Sequence, residues 1–150
     1  STEEDFYCAI ASSFMLSADN AHAVHPHHPQ KTDATNCVYM NEGIVVKSHA
    51  GQKYTSDAVS VAVFKDLCKK ANVPVQFFAN RSDEAGGSTL GNIAMAQVSM
   101  NSVDIGLPQL AMHSTYETAG IKDTYYMIQV MTEFFNSHIS EVNSHSLKVD

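Results

Sequence analysis

The chain has 150 residues, with 44% hydrophobic and 17% charged residues and a formal net charge of −7. That is one folded domain's worth of chain, apolar enough to bury a core and too rich in hydrophobic groups for a disordered segment. Nine Lys+Arg against sixteen Asp+Glu exclude the basic face that a nucleic-acid partner needs, and no apolar run approaches a membrane span.

In chain order, Glu3, Glu4 and Asp5 open a short helix carrying Phe6, Ala9 and Ile10 on one side. Acidic residues suit a helix start because they meet the positive end of the macrodipole. Ser13 to Ala18 reads as a short buried strand. A Pro- and His-rich loop follows from Asp19 to about Met40, with His22, His25, His27 and His28 inside seven residues. The ordinary reading of those histidines is a solvated polar loop; adventitious metal binding is the alternative. Ile44, Val45 and Val46 form a β-branched run that ends at Lys47.

A helix follows, capped by Ser56 or Asp57, with Val61, Phe64, Cys68 and Ala71 at helical spacing and Asn72 and Pro74 as its stop. Val75 to Ala79 reads as a strand. The segment from Arg81 to Thr89 is a turn-rich loop whose Ser88 or Thr89 can cap a helix through Leu90, Ile93 and Ala94. Val103 to Ile105 is a further strand, ended by Gly106 and Pro108. Asp123 opens a last helix, in which Met127, Val130, Met131, Phe134 and Phe135 follow the core-facing period.

Alternation of strand, loop and helix predicts an α/β fold with a mainly parallel sheet flanked by helices. Ligands in such sheets bind beyond the carboxyl ends of the strands. Three loops occupy that edge: Asp19–His28, Arg81–Thr89 and Leu107–Ser114. Asp19 follows directly on a strand, and His113 lies among the apolar Leu110, Ala111 and Met112, a setting that keeps an imidazole neutral and fit to bind zinc. Taken alone, a His beside apolar residues is more often a core histidine. Gly86, Gly87 and Ser88 let backbone approach a ligand closely. A nucleotide cradle is excluded because no Lys follows the glycines. Arg81 and Asp83 either pair on the surface or line a substrate. Lys47, by default a solvated charge, sits where it can face the same edge. Cys8, Cys37 and Cys68 are odd in number and widely spaced, which argues for free thiols in a reducing, cytoplasmic compartment.

Taken together, these loops resemble one family. Ser17-Ala-Asp-Asn-Ala-His-Ala-Val-His-Pro26 resembles the S-A-D-M-A-H-A-x-H-P motif of aspartyl aminopeptidases. Asn80-Arg-Ser-Asp83 with Gly87-Ser-Thr-Leu-Gly91, and Asp104-Ile-Gly-Leu-Pro-Gln-Leu-Ala-Met-His-Ser114, are similar to two further motifs of that family, in the same order. The resemblance runs from about Glu4 to about Phe135. It implies a zinc-exopeptidase-like (phosphorylase/hydrolase-like) domain that removes N-terminal Asp or Glu from peptides, with two zinc ions, in a cytoplasmic homo-oligomer. It implies Asp19 and His113 as metal ligands, and His22, Lys47, Gly86, Gly87 and Ser88 as substrate-side residues. The general-base Glu and the remaining ligands precede the S-A-D motif in the family, and only sixteen residues precede Ser17 here. Residues 1–150 are therefore expected to be the C-terminal portion of the catalytic domain, inactive alone, without the upstream ligands or the dimerisation domain. Two positions depart from the family: Tyr116 stands where Arg is usual, and Asn20 where Met is usual. The rival expectation is a non-catalytic peptide- or metal-binding α/β domain.

Overall fold

The computed structural model describes residues 2–48, 55–79, 89–143 and 146–150, with the side chains of 141–143 left aside. Helix α1 (Glu3–Ala11) opens with a capping box: Thr2 accepts from the Asp5 amide and Asp5 accepts from the Thr2 amide. None of its residues is buried, so the face drawn from Phe6, Ala9 and Ile10 is uncovered among the described residues.

Strands β1 (Phe14–Ala18), β3 (Ile44–Ser48), β4 (Val75–Ala79) and β5 (Asn101–Gly106) form a sheet of order β1-β5-β3-β4. The expectation of a mainly parallel sheet needs correction. β1 is parallel to β5 and β3 to β4, but β3 meets β5 antiparallel, so the sheet is mixed. The reversal joins the two parallel pairs at the centre of the sheet, through the pairs Val46 with Ile105 and Val45 with Gly106.

Three short strands form a second sheet. β2 (Ala21–His22) runs parallel to β6 (Pro108–Leu110), and β7 (Thr118–Ala119) returns antiparallel on β6. Neither β2 nor β6 stands out in the sequence, because two or three residues carry no period.

Helix α2 (Ala58–Lys70) begins at Asp57, whose carboxylate accepts from the Ser60 amide at 2.7 Å. It ends in a Schellman turn. Asn72 takes a left-handed φ of 54°, the Val73 amide donates to the Cys68 carbonyl, and the Asn72 amide donates to that of Lys69. Val63, Phe64, Leu67 and Cys68 of α2 and Val130 of helix α4 (Ile121–Asn136) pack on Ile44, Val46, Val103 and Ile105 of the sheet. Each such fully buried aliphatic or aromatic side chain contributes about 1.5–3 kcal/mol. The opposite face carries a smaller cluster of Ala21, Val38, Val45 and Phe78. Helix α3 (Leu90–Gln97) lies over that face, with Gly91 against Ser17 and Asp104.

Helix α4 does not open at Asp123. It starts at Ile121 after Gly120, and Asp123 turns inward, fully buried, to accept from the amides of Asn41 (2.5 Å) and Gly43 (3.0 Å). The chain closes with a hairpin of β8 (Ile139–Asn143) and β9 (Ser146–Val149) that packs on α2, Lys70 Nζ donating to the Val149 carbonyl at 2.8 Å.

Candidate functional site

The site is built where two chain paths run side by side off the sheet. The amides of Asp19, Ala21 and Ala23 donate to the carbonyls of Ile105, Leu107 and Gln109, so β1 to β2 tracks β5 to β6. At Gly106 the two paths nearly touch: a Cβ there would lie 1.8 Å from the Asp19 carbonyl oxygen. Glycine at 106 thereby sets where Asp19 stands. The Asp19 carboxylate accepts from the Asn20 amide at 2.8 Å through Oδ1, and its Oδ2 lies 3.8 Å from Lys47 Nζ. Asp19 is open to solvent, with 54% of its side chain exposed, while Lys47 is 4% exposed. The default of a solvated lysine therefore fails for Lys47.

Burial pushes the Lys47 ammonium below its ordinary pKa, while the carboxylates of Asp19 and Asp104 work in the opposite direction. His22, at the end of β2, is held below the usual imidazole range by partial burial, then by its electrostatic interaction with Lys47 and with His113. Asp19, His22, Lys47 and His113 are thus one electrostatic neighbourhood.

His113 reaches it from the tip of the β6–β7 hairpin. Ala111 and His113 both adopt left-handed backbone, φ 55° and 68°. The strain is held by two bonds: the Ser114 amide donates to the Ala111 carbonyl, and the His113 amide donates to Glu117 Oε1 at 2.7 Å. A sequence reading gives Glu117 no role, although it ends the His113-Ser-Thr-Tyr-Glu117 stretch. The expected dry setting of His113 is corrected: it is exposed, and so is Ala111, because the hairpin tip projects from the sheet. Tyr116 is exposed on the same tip, its amide bonded to Ser114 Oγ. The expected substrate-side residues Gly86, Gly87 and Ser88 lie outside the described residues, as do Arg81 and Asp83.

A peptidase zinc takes nitrogen and oxygen donors, commonly three from protein plus a water. Asp19 and His113 are of the right types and both open to solvent. Among the described residues, no group of three or more His, Cys, Asp or Glu converges as a metal site. The chain thus offers part of a donor set. Within the histidine loop the His25 and His28 ring centroids are 5.2 Å apart, and the His27 amide donates to His25 Nδ1.

An α/β domain with a carboxylate, two imidazoles and a buried lysine gathered at its strand ends is of the ligand-binding kind. Comparisons with known proteins place it further. Residues 1–135 match the family model described as aminopeptidase I zinc metalloprotease (M18). The chain is 53% identical over 133 residues to a probable M18 family aminopeptidase 2 of Clostridium novyi, covering 89% of this chain and 31% of that protein. It superposes with TM-score 0.87 and 36% identity on a chain of the Ape4 and Nbr1 complex, covering 89% of this chain and 26% of that one. It also superposes on a chain of the mApe1 dodecamer of Saccharomyces cerevisiae, TM-score 0.78 and 26% identity, covering 88% and 28%. The chain belongs to the M18 family of zinc metallo-aminopeptidases. It spans about a third of the length of the curated relatives it matches.

Proposed function

We propose that this chain is the C-terminal portion of an M18 catalytic domain whose whole protein removes N-terminal Asp or Glu from peptides in the cytoplasm. What carries the reading is the convergence of Asp19, His22, Lys47 and His113 at the strand ends of a chain whose residues 1–135 match the family. Asp19 and His113 would each hold one of two zinc ions. The chemistry that bound zinc supplies is polarisation of the scissile carbonyl and activation of a water. Lys47, desolvated and cationic, would attract the acidic side chain of the substrate, which an overall charge of −7 otherwise repels. His22, kept neutral by its surroundings, would donate or accept a hydrogen bond at the substrate backbone. Gly86, Gly87 and Ser88 would line the cleft with backbone groups. The general-base Glu would come from the part of a family-length protein that precedes Ser17. Cys8, Cys37 and Cys68 are free thiols, in keeping with a reducing compartment. The homo-oligomer follows the dodecamer of the S. cerevisiae relative.

This reading makes the 150-residue chain inactive alone. Zinc titration by calorimetry should find weak binding that Asp19→Ala and His113→Ala each reduce and that the double substitution abolishes. An assay on N-terminal Asp and Glu anilides with added zinc should find no turnover. Binding that persists in Asp19→Ala but not in His27→Ala would move the metal to the histidine loop and sink the ligand assignment. Turnover that a chelator blocks would sink the claim of inactivity.

A further inference from the structure

Asp104 is fully buried at the centre of the sheet, and the proposed chemistry leaves it unused. Its partner across β1 is Ser17. One step along the antiparallel register from Val46 with Ile105, its partner across β3 is Lys47. Directly opposed residues share a face, so Ser17, Asp104 and Lys47 form one buried polar row, continued on β4 by Phe78. Asp19, two residues beyond Ser17 along the same path and on the same face, stands off the row toward solvent, its Oδ2 3.8 Å from Lys47 Nζ.

The row is braced. Asp104 Oδ2 accepts from the Thr55 amide at 2.7 Å and from its hydroxyl at 3.1 Å, and that hydroxyl also meets Ser102 Oγ at 2.9 Å. The Asp104 amide donates to Ser56 Oγ. From above, Gly91 of α3 closes in so tightly that a Cβ would stand 2.8 Å from Asp104 Oδ1 and 2.9 Å from Ser17 Oγ. Oδ1 has no hydrogen-bond partner among the described residues. A buried carboxylate with a free oxygen is costly unless a positive charge faces it, and the opposing residue in the row is a lysine.

We propose that Asp104 is a positioning residue for Lys47: held rigid by Thr55 and Gly91, it fixes the ammonium so that it points across β5 toward Asp19 and the cleft. The importance of that aim for acidic substrates rests on the proposed function; the Asp104–Lys47 pairing itself does not.

The test needs neither zinc nor turnover. In the folded 150-residue chain, the rate of amine acylation at Lys47 is followed by mass spectrometry against exposed Lys148, with alkylation of buried Cys68 as a monitor of the core. Asp104→Asn keeps an acceptor for Thr55 and removes only the charge. Lys47 labelling should then rise several-fold while Cys68 stays protected. Unchanged Lys47 labelling overturns the proposal, and so does a parallel rise at Cys68, which marks a merely structural role. If Asp104→Asn does not fold, Thr55→Val decides by the same two readings. A chain that fails the zinc titration yet passes this one loses the proposed function and keeps the positioning role.

Discussion

Buried acidic groups at two places divide the work of this chain, Asp104 beside the candidate site and Asp123 beneath a loop. Asp123 accepts from the amides of Asn41 and Gly43, and the Asn41 side chain in turn accepts from the Lys122 amide at 3.0 Å. One carboxylate thereby ties the start of α4 to the turn before β3, the strand that carries Lys47. Burial raises the Asp123 pKa above its ordinary value of 3.8, outweighing the two amide bonds that lower it. The native state then binds that proton more tightly than the unfolded state does. A raised carboxyl pKa contributes stability that is fully present below 3.8 and is lost as pH rises through the folded value. Urea melts of wild type and Asp123→Asn at a series of pH values isolate the effect, since the asparagine does not titrate. The stability difference, wild type minus variant, should fall as pH rises from below 3.8; a flat or rising difference contradicts the assignment. Cys68 shows the same physics without a role in the site: burial pushes its thiol up to about 12, so it is a core side chain rather than a nucleophile.

At the scale of elements, the turn before β3 depends on Gly43. Its φ of 117° lies where side chains are strained, and a Cβ would fall 2.2 Å from the Pro74 carbonyl oxygen, which accepts from the Ile44 amide. Neither backbone can yield without breaking the β3–β4 register. Gly43→Ala should therefore destabilise the chain by about 3 kcal/mol or more, read as a lowered urea midpoint with unchanged slope. A loss below 1 kcal/mol would mean that the turn relaxes freely. The longer elements were legible in the sequence for a physical reason: Phe64, Cys68, Val130 and Phe134 sit on periodic faces that the sheet covers. Asp123 misled because an acidic residue near a helix start is usually a cap, and here tertiary bonds to Asn41 and Gly43 draw it inward. The strands β2 and β6 escape a sequence reading because their pairing joins very short segments that lie far apart in the chain. In the site, the positions of Asp19 and Lys47 at strand ends followed from the strands themselves. The exposure of His113, the burial of Lys47 and the brace from Glu117 did not, since each depends on how hairpin and sheet meet.

For the whole molecule, the distribution of apolar surface argues for association. Helix α4 buries Val130 and Asp123 on one side, yet Ile121, Tyr125, Ile128 and Phe135 are 84%, 60%, 61% and 79% exposed on the other. With Thr132, these positions are spaced four, three, four and three residues apart, the seam spacing of paired helices. A stripe of that length on a lone helix is far more apolar than a solvated face requires. Strands β1 and β4 also present unpaired edges within the described sheet, a second route to association. The two routes are separable. A charge placed mid-stripe is costly only if another apolar surface covers it, whereas edge pairing does not pass through α4. Ile128 is the central choice because it is exposed, so Ile128→Lys leaves the chain's own core untouched. Sedimentation velocity of the wild-type chain should show concentration-dependent association with a second copy, and Ile128→Lys should shift it to monomer with an unchanged melting temperature at low concentration. Association that survives Ile128→Lys would assign the contact to the sheet edges. A wild-type chain that stays monomeric at every concentration would leave the stripe to be covered by the rest of a family-length protein or by a different polypeptide, and would remove α4 as a basis for a homo-oligomer.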